Sequence, residues 1–232
     1  MSTTLRYNEY YGMQDVFDKL YEFSCNNATE NIDLYEIIIS RENLLLAYRN
    51  IKTNTGSKTK GCDGITIDNY KMKDEDEFIK EIINELSDYT PQMVRRIFIE
   101  KDNGKMRPLG IPTMRDRLIQ QAFKQVLEPI CEAKFYDHSY GFRPNRTTHH
   151  ALARCQHLIN RSKMYHVVDI DVASFFDEVN HTKLLKQLYT IGIKDQRVLA
   201  IINKMLKAEI EGEGVPSKGT PQGGYSHHYF PT

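Results

Sequence analysis

Two acids, Asp169 and Asp171, close a run of β-branched residues, His166-Val167-Val168-Asp169-Ile170-Asp171. On a strand both would point to the same side. An acid at the end of a buried strand costs several kcal/mol unless a cation or hydrogen bonds compensate it, and hard cations such as Mg2+ prefer such oxygens. The other use of Asp171 is to cap the helical turn that follows, and the strand pattern alone leaves both open. Cationic chemistry lies upstream. Residues 94–101 alternate like a strand, Asp102-Asn103-Gly104 is a tight turn, and residues 105–111 return antiparallel. This hairpin projects Arg95, Arg96, Lys101, Lys105 and Arg107. Arginine offers phosphate a fork of donors and lysine a mobile point charge, although a charged hairpin also serves as a solvated edge. A third cluster, Tyr140-Gly141-Phe142-Arg143-Pro144-Asn145-Arg146, combines groups that stack on bases with groups that contact phosphates. Aromatics in a loop also anchor it to a core.

The elements that must position these residues follow from periodicity. Met13, Val16, Phe17, Leu20 and Tyr21 mark a short N-terminal helix. A second helix runs from about Asp33 through Leu44, Leu45, Ala47 and Tyr48, and a Thr/Ser/Gly/Lys loop over 53–60 carries Lys58 and Lys60. Residues 74–88 form a surface helix with acids in its first turn and Phe78, Ile82, Ile83 and Leu86 inward. Residues 115–134 are a long buried helix through Leu118, Ile119, Ala122, Phe123, Val126, Leu127 and Ile130. A packing helix over 147–160 has Ala151, Leu152, Cys155, Leu158 and Ile159 on one face. Beyond Asp171 the chain turns at Ala173-Ser174 into Phe175-Phe176-Asp177, and amphipathic helices follow over 181–189 and 195–210, with a glycine-containing hairpin over 209–217.

At 232 residues and 40% hydrophobic content, the chain can bury a core. Its zero net charge hides an uneven distribution: −7 over 1–94, +8 over 95–163 and −1 over 164–232. The middle third is the basic one, where nucleic acid would be met. Cys25, Cys62, Cys131 and Cys155 are far apart and form no zinc spacing, which favours reduced thiols. His149, His150 and His157 have no matching ligand set, and the same holds for the two histidines of the tail. No apolar run approaches a membrane span and no signal-peptide core opens the chain, so the expected location is cytoplasmic.

Taken in order, these strings resemble the reverse transcriptases encoded by group II introns, from about residue 42 to residue 224. A helix, a basic loop and Gly61-Cys62-Asp63-Gly64-Ile65-Thr66 resemble the N-terminal extension and first finger motif, which touch the template. Residues 101–120 resemble the second finger motif over their whole length. Asp171, Phe175-Phe176-Asp177 and Asn180-His181 resemble the palm motif. Tyr140-Gly141-Phe142-Arg143-Pro144 is similar to an insertion typical of the intron enzymes, and Gly219-Thr220-Pro221-Gln222-Gly223 to the Gly-x-Pro-Gln-Gly motif.

The resemblance implies an α/β (α+β) fold with reverse-transcriptase-like fingers and an incomplete palm, helix-rich with short antiparallel sheets. Segments 1–60, 61–163, 164–224 and 225–232 would be the N-terminal extension, fingers with part of the palm, partial palm and divergent tail. It makes Asp171 catalytic and places Mg2+ on Asp171 and the main-chain carbonyl of Val172. It puts Lys101 and Arg107 on the triphosphate, Phe176 under the sugar and Gln222 beside nucleotide and template. Lys58, Lys60, Arg95, Arg96, Tyr140, Arg143 and Arg146 would meet nucleic acid. The implied partners are template or intron RNA, a DNA primer and a deoxynucleoside triphosphate, with no membrane.

After Gly224 the family continues to a Tyr-x-Asp-Asp hairpin, whereas this sequence reads Tyr225-Ser226-His227-His228-Tyr229-Phe230-Pro231-Thr232. Two-metal transfer needs ions about 3.5–4 Å apart bridged by several acids. The expectation is therefore a truncated enzyme, inactive alone. The alternatives are a noncatalytic, maturase-like RNA-binding module that aids intron folding and a related diversity-generating or phage-defence reverse transcriptase.

Overall fold

The seven apolar residues at helical spacing between Leu118 and Ile130 are all buried, and the helix they form, α6 (Met114–Glu132), is the one against which α2, α3 and α4 pack. The computed structural model describes residues 3–26, 32–70, 74–100, 104 and 106–220. Before the hairpin come α1 (Thr3–Tyr10), α2 (Gln14–Cys25), α3 (Leu34–Ile39), α4 (Arg41–Lys52) and α5 (Glu75–Ser87). The hairpin is β1 (Arg95–Glu100) and β2 (Met106–Ile111), and α7 (Thr148–Asn160), α8 (His181–Thr190) and α9 (Gln196–Leu206) follow α6.

Helices α2, α3 and α4 lie against α6. The helix expected from Asp33 is broken at Ser40, whose extended backbone ends α3 and whose hydroxyl accepts from the Asn43 N–H to cap α4. Asn43 is then fully buried at the α4–α6 seam, donating to the carbonyls of Ile38 (2.8 Å) and Ala122 (3.1 Å). Gln125 donates back to the Asn43 main-chain and side-chain oxygens, both at 2.7 Å. A buried amide is tolerated only when its partners are supplied, so this pair fixes the register of α4 on α6. The core is one contiguous cluster that takes side chains from α2, α3, α4, α5, α6, α8 and α9.

The hairpin has the expected pairing, with Ile97 opposite Leu109, Phe98 opposite Pro108 and Ile99 opposite Arg107. Its turn residues Asp102 and Asn103 lie outside the described residues, as do Lys101 and Lys105. Its base is tied to the segment after α9. The Val94 N–H donates to Glu209 O (2.7 Å) and the Glu211 N–H to Val94 O (2.9 Å), around a small apolar cluster of Val94, Ala208 and Ile210. That pairing ends α9 at Leu206, short of the expected residue 210.

Two expectations for the palm side are corrected. Residues 166–172 form no strand, and Val167, Val168 and Ile170 are 82%, 81% and 82% exposed. The α7 helix forms where expected, yet none of its residues is buried and Leu152 is 65% exposed. Both follow from one cause. A strand exists only where a neighbour takes up its N–H and C=O groups, and the strands among the described residues, β1 and β2, pair with each other. Without a sheet at 166–172, the apolar side of α7 has nothing to cover.

Candidate nucleotide and nucleic-acid site

The turn after Asp171 is built tightly. Ser174 takes a left-handed conformation (φ 51°) that non-glycine residues adopt at a cost. The N–H groups of Asp177 (3.0 Å) and Glu178 (3.1 Å) both donate to its carbonyl and hold it there. The turn sets Phe175 and Phe176 edge to face, 5.4 Å between centroids. The Thr220 N–H donates to Phe176 O (2.8 Å) and the Gly219 N–H to Val179 O (2.8 Å). His181 Nε2 lies 2.7 Å from Gly219 O, and Lys218 pairs with Glu178 at 2.6 Å. Gly219 is needed twice over: its φ is +84°, and an added Cβ would stand 2.8 Å from Asp177 O. The start of the glycine–glutamine string is therefore stitched to the aromatic turn. Gln222 itself lies outside the described residues.

Asp171 and Val172 stand just before this turn, both exposed, on a segment without regular secondary structure rather than at the tip of a buried strand. The Asp171 carboxylate has no hydrogen-bond partner among the described residues, so it does not cap the following turn either. Among the described residues no three potential metal-ligating side chains converge. One carboxylate holds Mg2+ weakly, because that ion keeps its water unless several ligands meet it. The described residues thus do not form a divalent-metal site by themselves.

On the hairpin Arg107 is exposed, opposite Ile99, and Lys101 lies outside the described residues. Arg96 is committed internally: its guanidinium makes a two-point contact with Glu213 (2.7 and 2.5 Å), and the pair holds the Glu213 carboxyl below its usual range. Arg95 reaches across to donate to Lys60 O at 3.2 Å. Lys58 and Lys60 are exposed on the loop after α4.

In the Tyr140–Arg146 loop, Arg143 is a correction. It is buried, donating to Glu132 (2.9 to 3.1 Å) and to the carbonyls of Tyr136 (2.7 Å) and Ser139 (3.1 Å), with its guanidinium 5.3 Å from the Phe135 ring centre. An arginine that closes its own loop in this way is a clasp, because its donors are spent inside the protein. Tyr140 is half-buried and stacks on His138 at 6.4 Å, its hydroxyl 3.3 Å from Nδ1. Arg146 is half-buried beside a polar cleft of about 730 Å³ that Asn50, Lys124 and Glu128 also line.

The sequence places Arg115-Asp116-Arg117 at the end of the second finger motif without giving them a role, and the structure shows what they hold. Arg115 reaches Glu85 (2.6 Å) and Thr90 O (2.9 Å). Asp116 is buried and accepts from the Tyr89 hydroxyl (3.0 Å), the Gln92 N–H (2.9 Å) and the Thr113 hydroxyl (2.9 Å). Burial pushes its carboxyl upward, against the lowering effect of those donors and Arg115. Arg117 donates to three main-chain carbonyls, of Pro112 (2.9 Å), Gly56 (2.9 Å) and Thr59 (2.6 Å). The available signal was the apolar stripe of Ile119 and Phe123, which extrapolates back by one turn onto Arg115.

Residues 99–226 match the family described as reverse transcriptase (RNA-dependent DNA polymerase). The chain belongs to the reverse transcriptase family. Its relatives place it in the group II intron branch. Over 209 residues, 85% of this chain and 34% of the relative, it is 40% identical to the group II intron-encoded protein LtrA of Lactococcus lactis subsp. cremoris. It is 35% identical to protein YkfC of Escherichia coli (strain K12), over 82% of this chain and 52% of that one. A mitochondrial nuclear intron maturase of Arabidopsis thaliana is 28% identical over 70% of this chain and 20% of its own length. The chain thus spans about a third of the length of LtrA. Reverse transcriptases as a family generally use a divalent metal and an RNA template. No helix among the described residues is long and apolar enough to cross a membrane.

Proposed function

We propose that this chain supplies the fingers and the aromatic turn of a group II intron reverse transcriptase, meeting template RNA with Lys58, Lys60 and Arg95 and the nucleotide triphosphate with Arg107 and Lys101. In that polymerase the 3′-hydroxyl of a DNA primer attacks the α-phosphate of a deoxynucleoside triphosphate and pyrophosphate leaves. The chain's own part is to neutralise phosphate charge and to set Phe176 and Gln222 against the sugar and template base. Mg2+ is the divalent ion we assign to this chemistry, with Asp171 and the Val172 carbonyl contributing ligands alongside others.

The observation that supports this most directly is the Thr220 N–H to Phe176 carbonyl bond (2.8 Å), which seats the string leading to Gln222 on the turn that follows Asp171. Two motifs whose bonded residues are 44 apart in sequence serve one pocket only if they are held together, and this bond ties the start of one to the other. The exposed basic positions also favour a second reading, an RNA-binding, maturase-like module that needs no polymerase centre.

RNA binding by the purified chain, followed by fluorescence anisotropy over a salt series, tests the part both readings share. Affinity should fall steeply as salt rises and should be unaffected by Asp171→Ala. A folded chain that fails to bind structured RNA even at low salt would remove both.

A further inference from the structure

Arg117 has no direct route to a template. It is buried in the first turn of α6, and its guanidinium is turned away from solvent onto the main chain. Two of its three acceptors, Gly56 O and Thr59 O, belong to the loop that follows α4, and the third, Pro112 O, to the strand-to-helix junction. The short 3-10 turn of that loop, Thr55–Lys58, puts Ser57 inward and Lys58 outward. Three further contacts hold the loop's far end: Arg95 donates to Lys60 O (3.2 Å), the Cys62 thiol donates to Met93 O (2.9 Å), and Gly61 lies flat on Thr113. A Cβ at Gly61 would come within 2.7 Å of the Thr113 Cα, so the loop sits on the helix start at backbone distance.

The loop is rich in Thr, Ser, Gly and Lys and makes little apolar contact of its own. Such a segment would sample many conformations, and phosphate contact by Lys58 and Lys60 would then carry the entropy of ordering it. A buried arginine that bonds two carbonyls of the loop, Gly56 and Thr59, removes that freedom in advance. Its planar fork fits three acceptors at fixed angles, which a lysine ammonium on a flexible stem does not reproduce.

We propose that Arg117 is a positioning residue for nucleic-acid binding: it latches the loop over 56–60 to the start of α6 so that Lys58 and Lys60 present their charges to the template backbone. This rests on the reading of that loop as a template contact.

The test uses the whole 232-residue chain, Arg117→Lys, Lys58→Gln/Lys60→Gln and the triple variant, with an RNA hairpin carrying a single-stranded extension as probe. Arg117→Lys keeps the charge and loses the fork. It should raise amide hydrogen exchange over 56–61 while leaving exchange in the α6 interior unchanged. It should also lower the slope of log affinity against log salt by about 1.5, the share of roughly two phosphate contacts. In the Lys58→Gln/Lys60→Gln background the same substitution should cost no further affinity, because the groups it positions are gone. A purely structural role would leave the slope unchanged and the effects additive, and either result overturns the proposal. Global unfolding of Arg117→Lys would overturn it too, since the latch would then be a strut of the core rather than of the loop. If the unaltered chain shows no salt-sensitive binding, the template reading itself falls. If it binds and Arg117→Lys binds equally, only the latch falls.

Discussion

Asp116 is a carboxylate placed for architecture. Its two oxygens gather a phenol, a main-chain N–H and a hydroxyl from the segment before the hairpin and from the α6 cap. Asp116→Ala strands those donors in the interior, at about 1–3 kcal/mol for each one left unsatisfied. A loss of about 3 kcal/mol or more in urea unfolding is expected. Because burial raises its carboxyl above the ordinary value near 3.8, the stability it contributes is fully present below that value and declines as pH rises through the folded one. Asp116→Asn should therefore lose less relative to the parent at pH 7 than at pH 4, and urea midpoints at the two pH values check the sign. Arg143 teaches the same lesson. Its string looks like a phosphate contact, yet Arg143→Ala would leave Glu132 half-buried without its partner, at a cost of about 2–4 kcal/mol. The expected signature is a lowered melting temperature, with RNA binding by the molecules that remain folded changing less than in Lys58→Gln/Lys60→Gln.

At the level of elements, what was legible depended on whether a segment carries its partners in its own periodicity. Helix α6 announced itself through seven apolar positions, and the hairpin through alternation around Asp102-Asn103-Gly104, because each element needs only near neighbours to close its hydrogen bonds. The run 166–172 has the composition of a buried strand, but composition states what a segment would bury, not what is there to bury it. Its pairing is a long-range property that the sequence pattern does not carry. The turn after it was legible, since Ala173-Ser174 and Phe175-Phe176 close locally. The Arg-Asp-Arg joint was not, because its partners lie in segments up to 61 residues away. The exposed run makes a test of its own. Fully burying a Val or Ile is worth about 1.5–3 kcal/mol, so if 166–172 were a core strand, Val168→Thr with Ile170→Thr would be severe. With these side chains 81% and 82% exposed, the pair should shift stability by less than about 0.5 kcal/mol in thermal unfolding. A larger loss would mean that the run packs as a strand after all.

Among the described residues, positive charge is plentiful but no cluster of metal-ligating side chains accompanies it. The +8 segment over 95–163 includes the hairpin, α6 and the aromatic loop, and burial and internal pairing remove Arg96, Arg117 and Arg143 from its reach. The exposed basic positions include Arg107, Arg161 and Lys163 within that segment and Lys58 and Lys60 on the loop after α4. Such exposed charge can bind RNA without a polymerase centre. Joining nucleotides asks for more. In-line phosphoryl transfer with two metals needs acids that hold ions about 3.5–4 Å apart, and among the described residues no ligand cluster gathers at Asp171. The 232-residue chain by itself should therefore bind RNA and extend no primer. A gel assay with RNA template, annealed DNA primer, deoxynucleotides and Mg2+ checks this: the expected result is no templated product at protein concentrations that saturate the RNA. Templated incorporation that Asp171→Ala abolishes would mean that the chain completes its own centre. RNA binding without extension, unaltered by Asp171→Ala, is the outcome that the polymerase-fragment and maturase-like readings share. Loss of RNA binding in Asp171→Ala would instead put that carboxylate at the RNA contact itself, away from the metal role assigned to it.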